Sequence, residues 1–267
     1  MKIFSWLAEL RYRNAVLYRI GLVHLIMAVL LVGPLAFDER LVLGINPWIK
    51  PIKFCLSIWL YAWTFGWILF DIPGSSKLKK GISWTIGITM IVEIFVIIYQ
   101  ASRGTLSHFN QNSAFDGILF GIMGLGILIN TVAIVATTGL YLFKKPKLDA
   151  AYLLAIRLAL IVFIIGNWVG GVMISNNQHA VGVADGGPGV PFTNWSTEGG
   201  DLRIAHFLGL HSIQVIPLIA YYLKSRTSLS LGVRRVLTII TTLIYAGLVS
   251  FLYFQAMRGE PLFTFSD

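Results

Sequence analysis

Four histidines of this chain lie in or beside strongly apolar stretches, where a polar group is costly unless it has a partner or a function. They are His24, His108, His206 and His211. Neutral imidazole is the commonest metal ligand in proteins and is also an axial ligand of haem. These four residues are therefore the predicted ligands of a divalent metal (zinc, iron or copper) or of haem iron.

Two carboxylates are predicted to be catalytic at the same site. Glu93 falls in the middle of an apolar stretch, and Asp116 lies near the start of another. A carboxylate in hydrocarbon must be neutral, paired or bound to a ligand. Glu93 is accordingly predicted to act as an acid, as a base or as a group that orients a ligand.

Cationic and amide side chains complete the predicted site. Arg103 and Arg203 are predicted to hold an anionic group, such as a haem propionate, and Lys53 and Gln214 are predicted to bind the same cofactor. Asp201 follows two glycines, which favours a helix N-cap over a ligand.

Helical spacing decides which of these residues can act together. Glu93, Gln100 and Arg103 recur at intervals of seven and three residues, so they share one helix face. His206 and His211 are separated by about 140° around an ideal helix, so they are predicted not to bind one ion unless a π-bulge intervenes.

A hydrolase-like set of side chains is also present, and it consists of Ser102 or Ser107, His108, Asp116, His206 and His211. This set is similar to that of the ceramidase and adiponectin-receptor superfamily, which are seven-helix membrane hydrolases with a Ser, an Asp and three His around zinc. The family's HxxxH pair is replaced here by HFLGLH, and the predicted site faces the side opposite to the zinc of the adiponectin receptors. The resemblance is an analogy of chemistry, and it implies zinc-dependent hydrolysis.

The elements that must position these residues are predicted to be membrane-spanning helices. The chain has 267 residues, of which 56% are hydrophobic and 12% charged, about half the charged fraction of a soluble domain. Seven apolar segments are long enough to span a bilayer, at 15–37, 52–70, 82–101, 115–143, 150–174, 202–223 and 236–257. The predicted fold is therefore all-α, with seven transmembrane helices and an amphipathic interfacial helix at residues 1–14.

Basic residues predict the orientation. Thirteen fall on one side of the seven segments, namely Lys2, Arg11, Arg13, Lys77, Lys79, Lys80, Lys144, Lys145, Lys147, Lys224, Arg226, Arg234 and Arg235. The opposite side holds six. The positive-inside rule then predicts a cytoplasmic N-terminus and an external C-terminal tail at 258–267, in a bacterial-type inner membrane. The net charge of +9 is thus explained by topology, without nucleic acid.

Two external loops are polar, and they cover residues 102–113 and 175–200. The second is long and rich in Gly and Pro, and is either a flexible connector or a lid. The working site is predicted to open outward between the third, fourth and sixth segments, under this loop. Glycines at 117 and 121 and at 166 and 170 have the spacing that lets helices pack closely or oligomerise.

Metal or haem binding for a membrane-associated redox or hydrolytic reaction is the leading functional hypothesis. A proton-coupled transporter of a small solute is one alternative, and a structural or assembly subunit is another. The predicted partners are the lipid bilayer and a small-molecule or lipid substrate from the external side. A retinal protein is excluded because no lysine follows Lys224, and Cys55 alone excludes an intramolecular disulfide.

Overall fold

The computed structural model of the chain describes residues 3–225 and 228–264. The helices are α1 (Ile3–Arg13), α2 (Ala15–Leu30), α3 (Val32–Phe37), α4 (Ile49–Phe70), α5 (Ser76–Ser102), α6 (Ala114–Phe143), α7 (Ala150–Asn176), α8 (Leu202–Ser225) and α9 (Leu231–Met257), and two short strands are β1 (Ala180–Val181) and β2 (Gly200–Asp201). Lys2 and Arg226, which entered the charge count, and the end of the predicted tail at 265–267 lie outside the described residues.

Within the described ranges, seven helices are long and apolar enough to cross a membrane, with α2 and α3 together forming the first. The predicted all-α polytopic fold is therefore confirmed, and the chain is an integral membrane protein. Several helices begin earlier than the apolar pattern indicates, because their first turns are polar. Ser75 accepts a hydrogen bond from the Lys77 amide at the start of α5, and Ser230 accepts one from the Val233 amide at the start of α9.

The first span is interrupted between Leu30 and Val32. Pro34 has no amide hydrogen to donate to the carbonyl of Leu30, and its ring crowds the preceding turn. The interruption is thus a consequence of the proline.

The chain forms two compact units, one up to Thr137 and the other from Thr138 onward, with the boundary inside α6. In the first unit, α2 packs against α4 and α5. Leu17 of α2 is fully buried, and a Cβ at Gly66 of α4 would lie 3.2 Å from the Leu17 Cβ. α1 is fixed to this unit by Leu10, which is also fully buried, and by Trp6, which stacks on Trp67 at 6.2 Å.

In the second unit, α7 and α8 approach each other through glycines, as the Gly166 and Gly170 spacing predicts. A Cβ at Gly166 would lie 2.6 Å from the Gly209 carbonyl carbon, and one at Gly170 would lie 2.9 Å from the His206 ring. The Gly117 and Gly121 stripe of α6 has no such neighbour among the described residues.

The 175–200 loop is ordered by hydrogen bonds within the second unit. β1 pairs antiparallel with β2, so the two ends of the loop meet. Asp185 accepts hydrogen bonds from the amides of His179 and Ala180 and lies 2.6 Å from the His179 imidazole. The segment is therefore a closed loop with its own anchors, and its predicted role as a lid stays a prediction.

Candidate functional site

In the first unit, the 103–113 loop folds back between the helix ends and carries His108 inward. The imidazole packs on Phe54 of α4 and Phe120 of α6, with ring centroids 5.5 and 6.2 Å away. These phenylalanines lie five and six residues inside their helices, which corresponds to roughly 8 Å at 1.5 Å per residue. An imidazole among aromatic rings at such a depth is costly unless its nitrogens find hydrogen-bond partners.

His108 meets the buried carboxylate of α5. Its Nε2 atom lies 3.4 Å from Oε1 of Glu93, and its Nδ1 atom lies 3.1 Å from the Ser107 hydroxyl. A carboxylate accepts hydrogen bonds, so the neutral ring carries its proton on Nε2 and accepts from Ser107 at Nδ1. Ser107, His108 and Glu93 thus form one hydrogen-bonding chain that leads from the loop into the helix bundle.

Glu93 is only partly satisfied by this arrangement. The residue is 3% exposed, and its Oε2 atom is buried without a hydrogen bond among the described residues. The His108 side chain is 20% exposed, so it stands between the carboxylate and the surface of the unit. An unpaired buried carboxylate oxygen is costly unless the carboxyl group is protonated or binds something.

Lys50, in the first turn of α4, adds positive charge to this region. Its ammonium lies 5.9 Å from the Phe54 ring centroid, beside His108. Burial lowers the pKa of His108, the charge of Lys50 lowers it further, and Glu93 opposes both effects. The imidazole is therefore neutral near pH 7. Lys53 lies one turn further along α4 and is half-buried.

His24 is buried on α2, and its Nδ1–H donates to the Ile20 carbonyl at 2.7 Å. Its Nε2 atom makes no hydrogen bond of acceptable geometry among the described residues, although the Met90 carbonyl of α5 is near enough to influence it. Met90 lies one turn before Glu93 on α5. The Nε1 atom of Trp59, on α4, is buried in the same unsatisfied state. The first unit therefore contains unsatisfied polar atoms on three helices.

A second polar cluster lies at the end of α5 and caps α6. Arg103 donates to Gln100 at 2.7 Å and pairs with Asp116 at 2.5 Å, and Gln100 donates to Asp116 at 2.8 Å. Ser113 donates its hydroxyl proton to the Asp116 carboxylate, and the same hydroxyl oxygen accepts from the Asp116 amide, so Ser113 caps the start of α6. Each carboxylate oxygen of Asp116 thus has a hydrogen-bond partner, and its predicted catalytic role stays a prediction. Glu93, Gln100 and Arg103 do share one face, as their spacing predicts.

In the second unit, Arg203 fastens the 175–200 loop to α8. It pairs with Asp201 through two guanidinium nitrogens and donates to the Asn194 carbonyl. Asp201 also accepts from the Arg203 amide at 3.0 Å, so the N-cap interpretation of Asp201 agrees with the structure. The predicted anion-holding guanidinium is already engaged by a carboxylate.

The two histidines of α8 have different surroundings. The His206 Nδ1 atom lies 2.7 Å from the Gly166 carbonyl of α7, whereas His211 packs edge-on against Phe207 at 4.3 Å and lies beside Gln214. α8 is a regular α-helix throughout, without a π-bulge. The two imidazoles therefore do not converge, as predicted from their separation of five residues.

A metal or haem site needs several donor side chains that converge on one point. Among the residues that the structure describes, no three His, Cys, Asp or Glu side chains converge as metal ligands. Arg103 and Arg203, the predicted propionate partners, are paired with Asp116 and Asp201. The described side chains thus do not fit a three-ligand metal site, and metal or haem binding stays a prediction.

Sequence reasoning did not foresee two features of this site. The first is the inward fold of the loop, which brings His108 to Glu93 and uses Phe54 and Phe120 as a support. No local pattern signals it, because it depends on tertiary packing. The second is the capping of α6 by Ser113, which a serine three residues before Asp116 does signal.

No known family model matches this chain, and comparison with curated proteins and with solved structures found no match.

Proposed function

We propose that this integral membrane protein is a proton-coupled carrier of a small solute, in which Glu93 binds the coupling proton and His108 controls access to it. The observation that supports this most strongly is the buried Glu93 carboxylate, with one oxygen facing His108 and the other unsatisfied. A group in that state gains most from a proton or from a hydrogen-bond donor on a solute.

Ser107, His108 and Glu93 are arranged in the order that proton uptake needs, from the loop to the buried carboxylate. A neutral imidazole accepts a proton at Nδ1 and releases the other from Nε2 to the carboxylate, which leaves the ring neutral with its proton on Nδ1. The ring must then rotate before it can pass on a second proton. The lowered pKa of His108 keeps the ring neutral between transfers. With the proposed cytoplasmic N-terminus, Ser107 lies on the external side of an inner membrane, so the path from Ser107 through His108 to Glu93 begins on that side.

A hydrolase is the second candidate, because a Ser, a His and a Glu are joined here by hydrogen bonds. In that case Ser107 would be the nucleophile and His108 its base. Ser107 is 4% exposed, so a substrate would have to displace the loop to reach its hydroxyl. This burial favours the carrier over the hydrolase.

The test is infrared spectroscopy of the purified protein in lipid nanodiscs, titrated with pH. We expect a protonated-carboxyl band that is absent in Glu93→Gln and retained in Glu39→Gln, which changes an exposed carboxylate of the same unit. His108→Gln should shift the frequency of this band, because it replaces the side chain that contacts the carboxyl group. If Glu93→Gln and Glu39→Gln give the same spectrum as the wild type, Glu93 does not bind the proton.

Two further measurements separate the carrier from its competitors. Labelling of Ser107 by a fluorophosphonate probe, lost in Ser107→Ala, would favour the hydrolase. Stoichiometric zinc, or a haem absorption band, in protein purified without added metal would favour the metal or haem hypothesis.

A further inference from the structure

An open groove of about 540 Å³ lies on the first unit where α1 meets α2. Leu7, Ala8 and Ala15 contribute apolar surface to its lining, and Arg11 and Arg19 also line it. The α1 and α2 helices are joined at Asn14, whose side chain accepts from the Leu17 amide and so starts α2. The groove is therefore bounded by two consecutive helices that meet at this cap.

The arginines of this region divide into two kinds. Arg13 faces the protein, where it pairs with Glu9 and Asp71 and lies 4.2 Å from the Trp67 ring centroid. Arg11 and Arg19 face the groove, and neither has a hydrogen bond or an ion pair among the described residues. The protein thus places two uncompensated guanidinium groups beside this apolar surface.

The depth of Arg19 makes its lack of a partner significant. The first membrane-spanning segment begins at Ala15, so Arg19 lies roughly 6 Å along that helix at 1.5 Å per residue. An arginine at this level is stable where it reaches the phosphate groups of the lipid headgroups.

We propose that this groove binds the headgroup of an anionic phospholipid. Arg11 and Arg19 hold the phosphate through paired N–H donors, and the first part of an acyl chain lies along Leu7, Ala8 and Ala15. The apolar surface favours a lipid over a free phosphate ion, because an inorganic ion gains nothing from it. The site is independent of the proposed proton coupling, since neither arginine contacts the Glu93 and His108 pair.

The experiment is native mass spectrometry of the full-length protein in detergent, titrated with phosphatidylglycerol or with phosphatidylcholine of the same acyl chains. We expect phosphatidylglycerol to bind more tightly. Arg11→Gln and Arg19→Gln should each weaken it by about fivefold, the change that ~1 kcal/mol per basic residue produces. Lys77→Gln and Lys80→Gln remove the same charge from exposed positions at the start of α5 and should weaken binding less. Arg19→Lys keeps the charge and should retain most of the binding.

Three results would overturn the proposal. Equal losses in the arginine and lysine variants would indicate general attraction between the basic end of the unit and anionic lipid. Equal binding of the two lipids would remove the role of the headgroup charge. Inorganic phosphate that binds without lipid and is lost in the same arginine variants would show a site for a free anion.

Discussion

The effects of burial and of nearby charge on the pKa of His108 can be separated by mutation. Burial lowers its pKa, and the nearby positive charge of Lys50 lowers it further. In Lys50→Gln we therefore expect the pKa of His108 to rise. Histidine-selective NMR checks this, because the chain has only five histidines and His108→Gln assigns the signal. Lys80→Gln, exposed at the start of α5, is the matched control and should leave the signal unchanged.

The same lowered pKa predicts how stability depends on pH. The unfolded chain protonates His108 near pH 6.5, whereas the folded protein does so only at lower pH. Between these two values the unfolded state binds more protons, so the free energy of unfolding falls as the pH drops below about 6.5. Thermal unfolding from pH 7 downward should show a smaller decrease in melting temperature for His108→Gln than for the wild type. Parallel curves would mean that His108 titrates alike in both states.

At the residue scale, the sequence predicts which residues could do chemistry better than it predicts which residues contact each other. Glu93 is recognisable from the sequence as a candidate functional residue, because a carboxylate in an apolar helix needs a partner. Its partner is not recognisable, since His108 reaches it through the inward fold of an irregular loop. Asp116 shows the opposite case, because its capping by Ser113 is encoded locally while its ion pair with Arg103 is not.

At the scale of elements, the contact between α7 and α8 depends on the absence of side chains. A Cβ at Gly166 would lie 2.6 to 2.8 Å from backbone atoms of Gly209 and Leu210, which cannot give way as a flexible side chain does. We expect Gly166→Ala to destabilise the protein by about 1–3 kcal/mol, measured by thermal unfolding in detergent.

Gly121→Ala is the matched control for this prediction. Nothing described lies within 4 Å of a Cβ at Gly121, and alanine is favoured over glycine in a helix by about 0.5–1 kcal/mol. This variant should therefore be as stable as the wild type or slightly more stable. A loss of stability in Gly121→Ala comparable to that in Gly166→Ala would mean that the α6 stripe is packed against a partner, such as a second copy of the chain.

The 175–200 loop depends on Asp185, whose carboxylate accepts hydrogen bonds from His179 and Ala180. Burial by itself would raise the pKa of this carboxyl, but the hydrogen bonds and charge of His179, with the Ala180 and His179 amides, hold it well below its usual range. The carboxylate therefore stabilises the loop above its unfolded pKa of about 3.9 and loses this effect only as the pH falls through the lower folded value.

Asp185→Asn should weaken these anchors at neutral pH and speed proteolytic cleavage within the loop. Glu198→Gln, at an exposed position of the same loop, should be cleaved at the wild-type rate. Cleavage that is unchanged in Asp185→Asn would show that β1, β2 and Arg203 suffice to hold the loop.

At the scale of the whole chain, the architecture was predictable because it follows from composition and helix length. Each apolar run had to satisfy its backbone internally, so helices of about 20 residues were the only solution. The helix ends were predicted less well, since caps such as Ser75 and Ser230 lie in polar residues that hydropathy does not count. The contact between Glu93 and His108 depends on tertiary packing, and no local pattern in the sequence predicts it.

The orientation is the remaining whole-molecule prediction, and it decides which side would supply the proton in the proposed carrier. The seven spans among the described residues put the start of the first span and the end of the last on opposite sides, and the basic residues favour a cytoplasmic N-terminus. Cys55 is fully buried, so new cysteines can be labelled in the wild-type background with an impermeant maleimide. In intact bacterial cells we expect labelling of Asn112→Cys and Glu198→Cys, and of Ser76→Cys and Lys147→Cys only after permeabilisation. The reverse pattern would turn the Glu93 and His108 site toward the cytoplasm, where the same acid–base chemistry would release protons inward instead of receiving them from outside.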